Sequence, residues 1–273
     1  MKLQLTLALL ALASPCIRAQ VSLFEETDDR VVTTTLSQVR ENPQAFKNVW
    51  VRFPVQFCSI GKVQNPFFTR FVPSQFANFY AWDENQKIWQ RPAYDDVFGT
   101  LFLSKENEQL EELYKLDLYD RVMVTGIVRN VFQSKPWIEV TQFHKVQGRV
   151  DTPTLAHLYR GESHMERRQW NRAISELSIA SAGDVPNNVM AAVHENLGVC
   201  YLRLGESETA LMHLEQAERF ASGNASRQFK NMVSSARQAP EEHLDREVDA
   251  VELGDFERPM WEAFEDATAM PLR

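Results

Sequence analysis

The sequence predicts an α+β multidomain protein in which a β-strand module comes first and an array of helical hairpins follows. Three observations predict this architecture. Short runs of alternating apolar and polar residues fill 48–146, and this alternation is typical of half-buried strands. Small and large residues recur at fixed offsets through 154–224, which indicates repeated helix pairs. The charge also changes, from 15 Lys+Arg and 16 Asp+Glu over 20–150 to 12 and 21 over 151–273.

The first 19 residues, MKLQLTLALLALASPCIRA, have the pattern of a secretory signal peptide. Lys2 precedes an apolar run from Leu3 to Ala13, and Ala19 is a suitable last residue before cleavage. The run is shorter than the roughly 20 residues needed to span a bilayer. We therefore expect an exported protein, periplasmic or secreted, with no transmembrane segment in the mature chain. A buried N-terminal helix and lipidation at Cys16 are the alternatives.

The β module is expected to span 31–148. In its first run Val49, Val51 and Phe53 point to one face. Pro54 then requires a place where no backbone N–H is needed, such as a sheet edge or a bulge. The four later runs are Phe76–Trp82, Val97–Leu103, Val122–Val128 and Ile138–Val140.

A change of period separates the third run from the fourth. Leu110, Leu113 and Tyr114 have helical spacing, and Ser104 is a candidate N-cap for that helix. The resulting order, three strands, a helix and two strands, resembles an OB-fold over about 100 residues. The runs DRVMVTGIVRN and KPWIEV are similar to the last two strands of that fold. The resemblance implies a five-stranded OB-like β barrel.

A long loop between the first two runs is rich in phenylalanine, with Lys62 and Arg70 interleaved. Aromatic rings beside cations suit single-stranded nucleic acid. However, phenylalanine also fills a small barrel or covers it as a lid, and we favour that explanation. The acidic second half of the chain argues against a nucleic-acid partner, because such binding depends on Lys and Arg at the phosphates.

The second module repeats its small residues with the same spacing twice. In each copy a glycine is followed after 12 residues by an alanine and after 7 more by another alanine, and the copies are 37 residues apart. The small residues are Gly161, Ala173 and Ala180 in the first copy and Gly198, Ala210 and Ala217 in the second. The pattern resembles the tetratricopeptide (TPR) repeat, whose helices approach closely at small side chains.

The resemblance implies a TPR helical domain over 152–237, with 224–237 as a capping helix. Two repeats are fewer than the three or so that bury a continuous core. We therefore expect the exposed end of the array to pack on the barrel or on another chain. The resemblance also implies a concave face, lined by the first helix of each repeat, that binds a peptide or protein segment. The candidate contact residues are Leu155, Leu158, Glu162, Met165, Glu166, Glu195, Val199, Leu202 and Arg203.

The last segment, 238–273, carries eleven acidic residues and three arginines, which predicts an acidic and partly disordered tail. Pro259 is followed by Trp261 and Phe264 in a short cluster compatible with a helix. We expect these two aromatic residues to anchor the tail on its own chain or on a partner. Solvent-exposed, idle aromatic residues are the alternative.

The sequence contains no HExxH, GxSxG, Walker A or GxGxxG motif. We therefore expect no catalytic residues, no metal and no cofactor, and two isolated buried thiols at Cys58 and Cys200. The function favoured by the sequence is a non-enzymatic protein-binding or scaffolding factor of the cell envelope. The alternatives are an OB module that binds an oligonucleotide or oligosaccharide, and an enzyme whose site is assembled from distant residues.

Overall fold

A computed structural model of the chain describes residues 30–62, 70–221, 224–238 and 243–245. The expected signal peptide and the anchor residues Trp261 and Phe264 lie outside these ranges. The strands are β1 (Val31–Thr33), β2 (Trp50–Gly61), β3 (Phe76–Asp83), β4 (Phe98–Ser104), β5 (Arg121–Phe132) and β6 (Lys135–Lys145). The helices are α1 (Leu36–Glu41), α2 (Arg91–Asp95), α3 (Leu110–Leu113), α4 (Thr152–Glu166), α5 (Trp170–Ala180), α6 (Asn187–Leu204), α7 (Ser207–Phe220) and α8 (Asn224–Gln238).

Five of the strands form a closed OB-like barrel, and the predicted fold class is confirmed. The strands are hydrogen-bonded in the order β2-β3-β4-β6-β5, and β5 also pairs with β2, which closes the barrel. The pairing of β4 with β6 is parallel and the other four pairings around the barrel are antiparallel. Alternate residues point inward, so Phe53, Leu101 and Ile138 are fully buried in one core cluster.

Three local features of the barrel module bear on the sequence predictions: the position of Pro54, the helix after β4 and strand β1. Pro54 lies in β2 after the residues paired with β1 and before those paired with β3, so one side of the strand needs no donor there. The expected helix after β4 is a single turn, α3. Ser104 does not cap it, because its Oγ accepts from the Glu106 amide in a tight turn. Strand β1, which the alternation did not predict, is three residues long.

The helices pair into two antiparallel hairpins, α4 with α5 and α6 with α7, followed by α8. As expected, the glycine of each hairpin lies at the helix crossing. A Cβ on Gly161 would lie 2.7 Å from Leu177 Cγ, and a Cβ on Gly198 would lie 2.7 Å from Leu214 Cγ. The two contacts are related by the same 37-residue offset that the sequence shows. Close approach at these glycines is therefore a repeated structural feature.

The barrel and the helices share one buried apolar cluster. It contains Trp82, Ile88 and Trp89 from the barrel module together with Leu155 and Leu158 from α4. The expectation that one end of the array packs on the barrel is thereby confirmed. Removal of this much apolar surface from water favours a fixed arrangement of the two modules.

The two cysteines in the described residues, Cys58 and Cys200, are buried and unpaired, as expected. Burial raises the pKa of the thiols of Cys58 and Cys200 to about 12, so both are protonated at neutral pH. Within the described ranges, no helix combines the length and the hydropathy that crossing a bilayer requires.

Candidate binding cleft between the barrel and the helices

A cleft of about 1120 Å³ lies between the barrel and the helical array. One wall is the connection from β3 to α2 with neighbouring barrel residues, and the floor is the N-terminal half of α6 with α7 and α8. Its barrel-side lining includes Glu84, Asn85, Gln86, Lys87, Trp89, Arg121 and Gln147. Its helix-side lining includes Asn187, Asn188, Ala191, Ala192, Glu195, Phe220, Gln228 and Phe229.

Direct bonds between the modules fix the width of the cleft. Asn188 on α6 donates through Nδ2 to the backbone oxygen of Glu84 at 2.6 Å. The Glu84 carboxylate pairs with Arg121, whose guanidinium also donates to the backbone oxygen of Gln147. Both side chains of this ion pair are more than four-fifths buried. Because barrel and helix are tied through the same residue, Glu84, the cleft is a built feature of the fold.

The lining is rich in side-chain amides, with Asn85, Asn187, Gln147 and Gln228 around the same space. Each amide can donate and accept a hydrogen bond. An extended peptide presents unpaired N–H and C=O groups along its length, and amides can satisfy both. The lining is therefore suited to a peptide backbone.

Glu195 is the main electrostatic feature of the cleft. It lies on the floor, is partly buried, and has no salt bridge or hydrogen bond from its carboxylate among the described residues. Burial and, to a lesser extent, the nearby Glu162 raise its pKa, and Lys87 partly opposes this shift. Lys87 lies 4.0 Å from Glu162 instead. The carboxylate of Glu195 is thus a partly buried acceptor with no cation in contact among the described residues.

The predicted contact residues on α4 are mostly engaged within the chain. Leu158 is fully buried in the cluster shared with the barrel, and Met165 packs against that cluster. Glu162 accepts from Gln90 Nε2 at 2.6 Å and from Asn196 Nδ2 at 3.1 Å. Glu166 is exposed. The α4 part of the expected concave face is therefore mostly occupied by contacts with the barrel module. Packing on the barrel is the role that we expected for the exposed end of the array.

The predicted residues on α6 fall into two groups. Glu195 faces the cleft, whereas Val199, Leu202 and Arg203 line a smaller groove of about 220 Å³ further along the helix. Met232, Ser235 and His243 complete that groove. Leu202 is buried beside Val233 of α8. The structure thus brings Val199, Leu202 and Arg203 together but separates them from Glu195.

A short part of the acidic tail occupies the edge of this groove. The Asp245 amide donates to the backbone oxygen of Arg203 at 3.0 Å, and Arg203 Nη1 donates to the backbone oxygen of His243 at 3.0 Å. Arg168 lies 3.4 Å from the Asp245 carboxylate. The tail therefore contacts its own chain at this point. Anchoring by Trp261 and Phe264 stays a prediction.

The barrel surface that OB-folds usually offer to ligands is used in part for internal packing, and a pocket of about 420 Å³ beside Phe71 and Phe102 stays open there. At one end of β3 and β4, Phe71 from the preceding loop stacks on Phe102 with ring centroids 4.3 Å apart, and Trp137 stacks on Phe102 at 5.2 Å. At the other end of β3, Trp82 is fully buried in the cluster shared with the helices. Aromatic residues that might have formed a stacking platform for bases thus cover one another.

Sequence reasoning missed the barrel side of the cleft. Trp89 is 3% exposed, lines the cleft, and its indole N–H has no acceptor among the described residues. The signal in the sequence was Ile88-Trp89, an apolar pair inside the polar run DENQKIWQRP. No pattern in the sequence marks Asn188 or Gln228 as residues of the cleft. In the described ranges, no group of three or more His, Cys, Asp or Glu side chains could hold a metal ion.

A scan of protein-family models gave no match to this chain, and a search of curated proteins gave none either.

Proposed function

We propose that this chain is a non-enzymatic protein-binding or scaffolding factor that holds an extended segment of a partner protein in the cleft between its barrel and its helices. The observation that carries the proposal is the size of the cleft together with its amide-rich lining. Such a site offers donors and acceptors along a path, which suits a backbone, and not the convergent set of groups that chemistry requires.

We further propose that the helical array is of the TPR type. The repeated glycine–leucine crossing supports this assignment, and so does a second pair of equivalent positions. His157 contacts Glu176 across the first hairpin at 2.7 Å, and 37 residues later His194 contacts His213 across the second at 3.0 Å. On this assignment Asn188 and Glu195 lie on the concave side of α6, which is the side that TPR arrays use for peptides.

The proposal places the protein in the cell envelope, as the N-terminal sequence pattern suggests. The alternative function, oligonucleotide or oligosaccharide binding by the barrel, is less well supported because Trp82 is buried against the helices at one end of the relevant face. At the other end, the pocket beside Phe71 has about 420 Å³, against about 1120 Å³ for the cleft. Catalysis is the third candidate function. It would require a reactive group in the cleft, and Glu195 is the candidate with a shifted pKa.

A blocking substitution tests the proposal. Gln228 is exposed on α8 and lines the cleft, so Gln228→Trp should fill part of it without disturbing the core. We expect this variant to lose at least tenfold in affinity for a pool of random decapeptides, measured by fluorescence polarisation. The matched control is Glu208→Trp, at an exposed position about 18 Å of helix away from Phe220. Equal peptide binding by both variants and the unmodified protein would refute the cleft as the site.

A further inference from the structure

The charges in the cleft are not balanced. Arg121 is paired with Glu84, and Lys87 lies 4.0 Å from Glu162, which lies outside the lining. The carboxylates of Glu195 and Asp184 form no salt bridge within the residues that the structure describes. The charged lining residues that form no salt bridge among the described residues are therefore both carboxylates.

From this imbalance we infer that the segment held in the cleft is basic, and that a Lys or Arg side chain of the partner binds the carboxylate of Glu195. The inference rests on the proposed function and specifies its ligand. A cation from the partner would supply the contact that Glu195 lacks among the described residues, and charge-assisted hydrogen bonds of this kind are among the stronger polar contacts. Apolar lining at Ala191 and Phe220 is available to the aliphatic stem of such a side chain.

The chain's own tail is a poor candidate for this place. Segment 238–273 has eleven acidic residues and three arginines, so like charges would meet at Glu195. The described tail residues instead contact Arg203 and Arg168. Arg203 is eight residues beyond Glu195 on the same helix, about 12 Å along its axis. Acidic and basic segments are therefore drawn to different ends of α6.

Three pools of immobilised decapeptides test the inference, with Lys or Arg, with Asp or Glu, or with neutral residues at the central positions. The unmodified protein should bind the basic pool about tenfold more tightly than the acidic pool, and the preference should weaken as salt is added. Glu195→Gln should remove the preference, Glu195→Lys should reverse it, and the exposed-site control Glu208→Gln should retain it. Circular dichroism and thermal melting establish that each variant is folded.

The outcomes separate the inference from the proposed function. If the neutral pool binds, Gln228→Trp prevents that binding, and basic peptides have no advantage, then the cleft is the site and the inference is wrong. If the preference for basic peptides is unchanged in Glu195→Gln, the inference is also wrong, because the charge is then recognised elsewhere. Binding of none of the three pools would overturn both.

Discussion

The close helix crossings make a quantitative prediction about Gly198. A Cβ added there would lie 2.7 Å from Leu214 Cγ and Cδ2 and 3.2 Å from the Ala210 carbonyl oxygen. Leu214 is fully buried, so it cannot move away freely. Overpacking of this kind costs about 1–3 kcal/mol, whereas alanine is about 1 kcal/mol better than glycine in a helix. We expect Gly198→Ala to lower the free energy of unfolding by about 1 kcal/mol.

The control is a double-mutant cycle with Leu214→Ala. That change alone removes a fully buried side chain and should cost about 2–5 kcal/mol. In the double variant the new methyl group of Gly198→Ala enters the space that Leu214 left. The two effects should therefore fall short of additivity by at least 1 kcal/mol in urea unfolding experiments. Strict additivity, or stabilisation by Gly198→Ala alone, would show that the two helices do not cross at this glycine.

Three further predictions concern the interface, the pH response and the thiols. Arg121→Ala removes a cation whose carboxylate partner is mostly buried, and it should cost roughly 2–3 kcal/mol in denaturant unfolding, somewhat less than for a fully buried pair. Burial lowers the pKa of His194 and His213 below that of a histidine in the unfolded chain. As the pH falls below about 6.5, the unfolded chain therefore takes up protons before the folded chain does, and the free energy of unfolding should decrease. The decrease should be less steep in His213→Gln. The Cys200 thiol, with its pKa raised to about 12 by burial, should react with a thiol reagent only after unfolding; rapid labelling of the folded protein would contradict its burial.

The barrel was predictable because its strands have local signatures. Alternation in runs such as that from Val49 to Phe57 fixes which residues face the core, and the core then fixes the strand register. Strand β1 has no such signature, since it is three residues long and is defined only by its parallel pairing with β2. The length of the helix after β4 was overestimated, because the local turns there could not be read from apolar spacing alone. Ser104 and Asn107 both bond to nearby amides there, and such local turns compete with helix formation.

Only half of the cleft was predictable. The TPR resemblance selected Glu195 as a contact residue, and the structure places it in the cleft, because residues on one face of a helix can be read from its own sequence. The docking of Ile88 and Trp89 against α4 could not be read in this way, since it depends on a loop that is more than 60 residues distant in sequence from its contacts. The consequence was that Leu158 and Glu162 were assigned to a partner when the barrel already contacts them.

Occupation of α4 by the barrel also explains why an array of two hairpins can be stable. A short array leaves its first helix with an apolar face uncovered, and here Leu155 and Leu158 on that face are fully buried with barrel residues. The barrel therefore takes the place of a neighbouring repeat at this end, and α8 covers the other end through Val233 and Ala236. Between these two covers, the N-terminal half of α6 lines the open cleft. A partner segment bound there would contact barrel and helices together, so its affinity depends on both modules being present in one chain.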